Sequence, residues 1–329
     1  MKTVVGVLRG GPSSEYEISL LSGARVLTAL DPEKYTARDI FIDRAGNWHL
    51  RGVAVPPEHA LRGIDVAFNV LHGEYGESGE VQKILESLGT PYTGSDAFSS
   101  TLAYNKHTTK EMVKKLGMKV AHGVVVEPTD DVEAIALNLF RTFPHPAIVK
   151  PLAGGSSVGM TVADSYHALH DGLQRALAVS PKVLVEEFIK GKEATVGVIE
   201  HFRNERLYAL MPVEIVPATE HGFFNYEAKY QGGSTERCPG NFTHSEKQQL
   251  EEAAKKIHEI LGARHYSRSD FIISKRGIYF LEINSAAAVG LTQESLLPKA
   301  IEAVGFSMPG FVDHIIALAL SGAAQYSKL

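Results

Sequence analysis

One glycine-rich stretch says most about how this chain folds: Lys150-Pro151-Leu152-Ala153-Gly154-Gly155-Ser156-Ser157-Val158-Gly159-Met160. It follows a short apolar strand, and consecutive small residues let backbone amides approach phosphate oxygens closely. The lysine that ends the strand can balance the phosphate charge. Gly154 and Gly159 have the spacing of a P-loop, but Met160 stands where that loop needs its lysine, which argues against a P-loop NTPase. The stretch predicts a phosphate-binding loop, with a flexible hairpin turn as the alternative.

The composition is that of an ordinary globular protein. The chain has 329 residues, and its 33 Lys and Arg against 38 Asp and Glu give a formal net charge of −5. This mildly acidic balance lacks the footprint of proteins that bind nucleic acid or anionic membranes, so neither is expected as a partner. The single cysteine, Cys238, excludes an internal disulfide framework and a cysteine-based zinc site, which fits the cytoplasm. No apolar stretch is long enough to span a bilayer.

The first hundred residues alternate short β-branched runs with helical stretches. Strands are predicted at residues 3–8, 35–43 and 66–70, and helices at residues 17–30 and 79–88. Such alternation predicts a parallel sheet with helices on its faces, which is an α/β domain.

Two later strands carry four polar residues that can share one face. Arg268 and Asp270 are two apart on one predicted strand, and Glu282 and Asn284 are two apart on the next. A three-residue loop, Lys275-Arg276-Gly277, with its glycine left-handed, sets Asp270 opposite Glu282 and Arg268 opposite Asn284. Two carboxylates and an amide oxygen on one face suit Mg²⁺. The alternative is a solvated face with an arginine–carboxylate pair.

Two further stretches are weaker candidates for functional residues. An apolar strand ends in Glu186-Glu187-Phe188-Ile189, and Glu193 follows it. Main-chain groups at such a strand end can bind an adenine edge, and the later carboxylate can reach ribose hydroxyls, although glutamates at strand ends are usually at the surface. Lys229 and Tyr230 lie in a glycine-flanked loop, where packing is the alternative to catalysis.

Together these segments resemble the D-alanine–D-alanine ligases of the ATP-grasp superfamily over nearly the whole chain. The motifs that carry the resemblance, in chain order, are Gly10-Gly11-Pro12-Ser13-Ser14-Glu15 with Ile18-Ser19, Leu71-His72-Gly73 with Gly76-Glu77 and Gly79, Pro91-Tyr92-Thr93-Gly94-Ser95, Lys150-Pro151, Gly155-Ser156-Ser157-Val158-Gly159 and Tyr226-Glu227-Ala228-Lys229-Tyr230. The resemblance implies a fold of the α/β and α+β classes. An N-terminal parallel-sheet α/β domain at residues 1–103 precedes a two-domain ATP-grasp fold, with a central lid at 104–185 and a catalytic domain at 186–329.

The resemblance also implies which residues bind ATP and metal. The nucleotide would contact Lys106 and Lys150 at its phosphates, Glu186, Glu187, Phe188 and Ile189 at its adenine, Glu193 at its ribose, and Lys229 in the mobile loop of the family. Two Mg²⁺ ions, with Mn²⁺ as an alternative, would be held by Asp270, Glu282 and Asn284.

The amino-acid substrates are assigned in the same way. Glu15 would hold the ammonium of the first D-alanine, with Ser156 and Tyr230 linked to it by hydrogen bonds and closing the site. His72 would lie near the carboxylate of that substrate. The oxyanion would be stabilised by Arg268 and the Gly290 amide, and the carboxylate of the second substrate would be bound by Ser295 and Leu296.

One segment departs from the family pattern. The family runs from the metal-binding asparagine through Thr, any residue and Pro to the oxyanion-site glycine, whereas Asn284-Ser285-Ala286-Ala287-Ala288-Val289-Gly290 is two residues longer and lacks the proline. We therefore expect any change to fall on the acceptor half of the site.

The resulting prediction is ATP-dependent ligation of two D-alanines through an acyl phosphate, for peptidoglycan precursor synthesis, by a cytoplasmic homodimer. One alternative is a related carboxylate–amine ligase with another acceptor, or one that uses D-lactate or D-serine. The other alternative is a nucleotide-binding protein without turnover.

Overall fold

The computed structural model describes residues 2–127, 131–152, 160–217 and 234–326, and these residues form three β-sheets. The N-terminal elements, in chain order, are β1 (Thr3–Gly10), α1 (Tyr16–Ala29), β2 (Tyr35–Ile42), β3 (Trp48–Leu50), β4 (Val53–Ala54), α2 (Pro57–Ala60), β5 (Val66–Asn69), α3 (Glu74–Glu77), α4 (Glu80–Ser87) and α5 (Ala97–Tyr104). The first sheet has the order β4-β3-β2-β1-β5, and β1 runs parallel to both β2 and β5. The predicted parallel α/β domain is confirmed. Its antiparallel edge, β3 and β4, was not predicted.

The second sheet is antiparallel and lies in the middle of the chain. The elements there are α6 (Lys106–Lys115), β6 (Lys119–Val120), β7 (Gly123–Val126), α7 (Val132–Thr142), β8 (Ala147–Pro151), β9 (Thr161–Ala163), α8 (Tyr166–Val179) and β10 (Val183–Glu187). Strands β7-β10-β8-β9 form the sheet, and α7 and α8 pack on it through a buried apolar cluster. The domain boundary predicted after residue 185 falls inside β10; both boundaries stay predictions.

The third sheet contains the predicted polar hairpin. The C-terminal elements are β11 (Lys192–Phe202), β12 (Glu205–Ala209), β13 (Val213–Pro217), β14 (Ser234–Arg237), α9 (His244–Ile260), β15 (Tyr266–Ser274), β16 (Gly277–Ser285), α10 (Leu296–Ala303) and α11 (Met308–Tyr326). The sheet order is β14-β13-β11-β15-β16-β6, with β12 beside β11. Strand β6 thus belongs to the third sheet, although it precedes every strand of the second sheet in the chain. Residues 183–187, by contrast, belong to the second sheet.

Helix α9 begins directly after a capping box. Thr243 is its N-cap, and the Thr243 hydroxyl accepts from the Glu246 amide while the Glu246 carboxylate accepts from the Thr243 amide. This capping box satisfies two helix-end donors at once.

One buried core joins the N-terminal sheet to the C-terminal helices. It includes Val5 and Phe68 from the sheet, Val289 from the segment after β16, and Ile301 and Phe311 from α10 and α11. The first and third sheets are thereby held together at the edge where the polar residues collect. Among the described residues no single helix is long and apolar enough to cross a membrane, although the bent pair of residues 296–303 and 308–322 passes by length and composition together.

Candidate functional site

The hairpin of β15 and β16 carries the polar face that the sequence predicts. Arg268 pairs with Asn284, and Asp270 pairs with Glu282. The predicted register is therefore confirmed, and the four side chains share one side of the third sheet.

The turn that produces this register differs from the prediction. Ser274 pairs with Gly277 across a two-residue turn instead of a three-residue loop, although Gly277 does have a positive φ of 117°. A β-bulge between Asp270 and Phe271 then restores the alignment, so that Phe271 pairs with Phe280. The extra residue thus lies inside the strand and not in the turn.

Asp270 lies at the centre of the polar face. Nε and Nη2 of Arg268 donate to its two carboxylate oxygens at 3.1 Å each. Nδ2 of Asn284 donates to it at 3.1 Å, and the hydroxyl of Thr195 on β11 donates as well. Two parallel hydrogen bonds fix the plane of a guanidinium, so Asp270 orients Arg268 toward the site.

The adjoining strand β11 adds another carboxylate. Burial, together with a smaller contribution from the negative charge of Asp270, raises the pKa of Glu193 to about 7. With Glu282 on β16 this region holds three carboxylates, and a cation among them would relieve their repulsion. The oxygen donors of Asp270, Glu282 and Asn284 therefore fit a divalent metal such as Mg²⁺.

Helix α6 supplies cations opposite these carboxylates. Nζ of Lys106 lies 3.5 Å from Oε2 of Glu282. One helical turn later, Lys110 pairs with Oε1 of Glu186 on β10, and Nζ of Lys150 lies 2.7 Å from Oε2 of the same carboxylate. Lys110 is absent from the sequence prediction, although its spacing of four from Lys106 was a usable signal.

Glu186 is ionised in this environment despite its burial. Burial favours its neutral form, but the ammonium groups of Lys110 and Lys150 lower its pKa to about 2. Burial lowers the pKa of Lys110 to about 8, an effect that Glu186 opposes. The Glu186 side chain is therefore engaged by lysines, and an adenine contact here would use main-chain groups.

The other predicted adenine residues lie beside this cluster. Ile189 is buried in a small apolar group with Ala121, Ile272 and Tyr279. Such a group could accept the face of a purine base. The Glu187 carboxylate accepts from Nη2 of Arg276 at 2.9 Å, and Phe188 is half-buried.

A second polar group lies at the edge of the first sheet. Glu15, His72 and Glu77 are all buried, and their ligand-type atoms lie within 4.8 Å of one another. The Glu77 carboxylate accepts from the Gly73 amide at 2.6 Å. Glu77 is in no predicted site set, although it lies in the motif that follows His72. Buried acidic groups beside an imidazole can receive a substrate ammonium.

A small cavity connects this group to the hairpin. Glu77 and Tyr104 line one side, and Lys106, Glu282 and Asn284 line the other. The structure thereby brings the predicted N-terminal and C-terminal site residues into one region.

Residues 291–296, which include the predicted acceptor residues Ser295 and Leu296, approach the same region from the C-terminal part of the chain. The Leu291 amide donates to the Ser22 hydroxyl at 3.3 Å, and Ser22 also hydrogen-bonds Nε2 of His72 at 3.2 Å. Ser295 hydrogen-bonds Thr292 at 2.8 Å and stands just before Leu296, which begins α10. The backbone at Leu291, just before these predicted acceptor residues, is therefore linked to His72 through the Ser22 hydroxyl.

The two extra residues before Gly290 turn inward. Residues Ala286–Ala288 form a 3-10 turn, and Ala286 and Ala287 are buried. A side chain at Gly94 would approach the Ala286 methyl to 2.8 Å, so only glycine fits that contact. The longer segment thus packs against the Pro91–Ser95 motif and does not bulge into solvent.

Three predicted site residues, Ser156, Lys229 and Tyr230, lie outside the described residues. Most of the glycine-flanked loop that carries Lys229 and Tyr230 lies there too. Their roles stay predictions.

Comparison with known proteins gives a consistent result across the chain. A profile described as D-ala D-ala ligase N-terminus matches residues 4–59 and 53–95, and one described as D-ala D-ala ligase C-terminus matches residues 112–317. A D-alanine–D-alanine ligase of Syntrophobacter fumaroxidans is 37% identical over 324 residues, covering 97% of this chain and 98% of the relative. One of Geobacter sulfurreducens is 37% identical over 317 residues, covering 95% and 93%.

Solved structures agree with the fold. The D-alanine-D-alanine ligase of Coxiella burnetii matches with a TM-score of 0.84 at 25% identity, over 99% of this chain and 96% of that one. The VanG D-Ala:D-Ser ligase of Enterococcus faecalis matches with a TM-score of 0.83 at 28% identity, over 97% and 100%.

Proposed function

The chain belongs to the D-alanine–D-alanine ligase family, and on that premise we propose that it uses ATP to join two D-alanine molecules. The observation that carries this proposal is the hairpin face of Arg268, Asp270, Glu282 and Asn284, with Lys106 of α6 beside it. The dipeptide would serve as a peptidoglycan precursor.

In the first step the carboxylate of one D-alanine attacks the γ-phosphorus of ATP, and ADP leaves as the acyl phosphate forms. Two anions must approach each other, so positive charge has to be in place beforehand. Lys150 and Lys106 are two such charges, and both are largely buried. Glu15 would hold the ammonium of this donor, with His72 near its carboxylate.

Asp270, Glu282 and Asn284 would hold two Mg²⁺ ions, or Mn²⁺ as the alternative. Metal ions bound there supply further positive charge against the phosphates. The closeness of Glu193 to Asp270 supports this assignment, because the negative charge of Asp270 adds to the effect of burial in raising the pKa of Glu193.

In the second step the amine of the second D-alanine attacks the acyl carbon, a tetrahedral oxyanion forms, and phosphate then leaves. Arg268, held flat by Asp270, and the Gly290 amide would donate to the oxyanion. Ser295 and Leu296, at the start of α10, would bind the acceptor carboxylate. Ser156 and Tyr230 would close the site, and excluding water protects the acyl phosphate from hydrolysis.

A ligase with a different acceptor is the second candidate. The longer segment before Gly290 favours it, because it leads directly to the proposed oxyanion donor and its Ala286 and Ala287 are buried in the fold. A likeness to the D-Ala:D-Ser ligase supports testing D-serine in particular.

Phosphate release across a panel of acceptors tests the proposal. The purified protein with ATP and Mg²⁺ receives D-alanine alone, L-alanine alone, or D-alanine with D-serine, D-lactate or L-alanine, and mass spectrometry identifies each product. We expect D-alanyl-D-alanine as the main product and no release with L-alanine alone. A mixed product would identify the acceptor variant. ATP binding without phosphate release would favour a nucleotide-binding protein without turnover.

The family resemblance also supports a homodimer that works in the cytoplasm on small D-amino acids. Light scattering on the purified protein tests the dimer, and a monomer at working concentration would contradict it.

A further inference from the structure

Helix α6 presents two buried lysines to two different sheets. Lys106 and Lys110 are four residues apart, so their side chains leave the same face of the helix. Lys106 pairs with Glu282 on β16 of the third sheet, whereas Lys110 pairs with Glu186 on β10 of the second sheet. The nucleotide site predicted between these sheets is thus bordered by one helix that contacts both.

The Glu186 carboxylate is shared between two ammonium groups. Oε1 contacts Lys110 and Oε2 contacts Lys150. The side chains of Glu186 and Lys110 are only 3% and 5% exposed, and that of Lys150 is 13% exposed. Water therefore screens these charges little, and their count decides what the cluster can bind.

The three charges sum to one net positive charge. If Lys110 were neutral, Glu186 and Lys150 would form a neutral buried pair, and both oxygens of Glu186 would be open to Lys150. That pairing would draw Lys150 toward the carboxylate and leave little net charge for an incoming phosphate.

We propose that Lys110 is a positioning residue of the nucleotide site: by occupying one oxygen of Glu186 it leaves Lys150 able to bind phosphate. The proposal rests on the proposed use of ATP. Lys110 itself need not touch the nucleotide. Its role depends on charge balance, which separates it from a lysine that only stabilises the fold.

A pair of substitutions tests this balance. Lys110→Met removes one buried cation at similar volume, and Lys110→Met with Glu186→Gln removes the matching anion too, which restores one net positive charge on Lys150. We expect the single variant to raise KM for ATP and lower kcat/KM for ATP at least tenfold. The double variant should recover at least half of that loss on a logarithmic scale. Lys115→Met, an exposed lysine on the same helix, is the matched control and should behave as the wild type.

Calorimetry with ADP and Mg²⁺ on the same variants gives a readout that needs no turnover. Weaker ADP binding by Lys110→Met, with recovery in the double variant, supports the proposal even if the wild type proves unable to form dipeptide. Unchanged ADP binding and unchanged kcat/KM for ATP in a folded Lys110→Met would overturn it. So would a folded double variant that is no better than the single one. Lys110→Gln takes over the test if the methionine variant does not fold.

Discussion

Glu186 on β10 is buried and Glu193 on β11 is half-buried, and the pKa values of these two glutamates shift in opposite directions. Burial favours the neutral form of both. Lys110 and Lys150 nevertheless lower the pKa of Glu186 to about 2, whereas Asp270 adds to the effect of burial and raises that of Glu193 to about 7. The sign of the neighbouring charge, and not the degree of burial, decides the outcome.

This difference divides the site into two electrostatic regions. The Glu186 region has more cations than anions and suits phosphate. The Glu193 region has more carboxylates than cations and suits a divalent metal. A nucleotide bound with its metal needs both regions next to each other.

The largest effect on activity is expected from removing Lys150, the cation of the Glu186 region that is proposed to bind phosphate. Lys150→Ala should lower kcat/KM for ATP by about 10³-fold, because one of the two buried lysine charges that offset the repulsion between phosphate and carboxylate is then lost. Phosphate release in the presence of D-alanine measures it. Lys182→Ala, which removes an exposed lysine just before β10, is the control. A near-normal rate for Lys150→Ala would refute the division into two regions.

Neutralising the anion of the same region should destabilise the fold. Glu186→Gln leaves two buried ammonium groups without their counter-charge, at a cost of about 3 kcal/mol in unfolding free energy. Since the pKa of Glu186 is lowered from its ordinary value of 4.5 to about 2, its stabilisation is complete above pH 4.5 and is lost as pH falls toward 2. Urea unfolding at pH 7.5 and at lower pH measures the difference in unfolding free energy between Glu186→Gln and the wild type. Equal stability of both proteins at pH 7.5 would show that the lysines do not depend on Glu186.

On the carboxylate side, Arg268→Lys keeps the charge but loses the paired hydrogen bonds to Asp270. We expect about a 10²-fold loss in dipeptide formation, because the oxyanion donor is no longer held in place. Positional isotope exchange in ATP with D-alanine alone should persist, since that step precedes the oxyanion. Loss of both activities would place Arg268 in the first step instead.

The smallest effect is expected from Glu193→Gln, which should increase the unfolding free energy, whereas Glu186→Gln should decrease it. The raised pKa of Glu193 means that stability is lost as pH rises from 4.5 through about 7, where the buried carboxyl must ionise. Glu193→Gln should therefore be more stable than the wild type by about 1 kcal/mol at pH 8 and similar to it at pH 5. Thermal unfolding in EDTA at both pH values measures this. A destabilised variant at pH 8 would mean that the ionised carboxylate has a partner.

Local sequence patterns predicted the parts of the fold that depend on local rules. The alternation of strands and helices predicted the parallel N-terminal sheet, and the two-residue period placed Arg268 and Asp270 on one face. The predicted length of the turn was wrong by one residue, but the predicted pairing of Asp270 with Glu282 was correct because a bulge compensates. A bulge is set by how neighbouring strands pair, which a single strand's pattern does not contain.

The missed parts depend on contacts between distant residues. Lys110 and Glu186 are separated by 76 positions, and only the approach of α6 to β10 makes them partners. The positions of β6 in the third sheet and of β10 in the second sheet also depend on contacts between distant residues. Family resemblance supplied the roles of Glu15 and His72, which no local pattern indicated.

The bulge between Asp270 and Phe271 also makes the hairpin modular. Strand β11 pairs with β15 on both sides of the bulge, from Tyr266 to Ile273, so a change in the length of the turn would shift β16 and not β15. A residue gained or lost at the turn can be absorbed at the bulge before it displaces Asp270 or Glu282. The length of the turn is thereby free to drift during evolution. For a protein engineer, the exposed Lys275 and Arg276 offer an insertion point for a label or a short peptide that leaves the proposed metal ligands where they are.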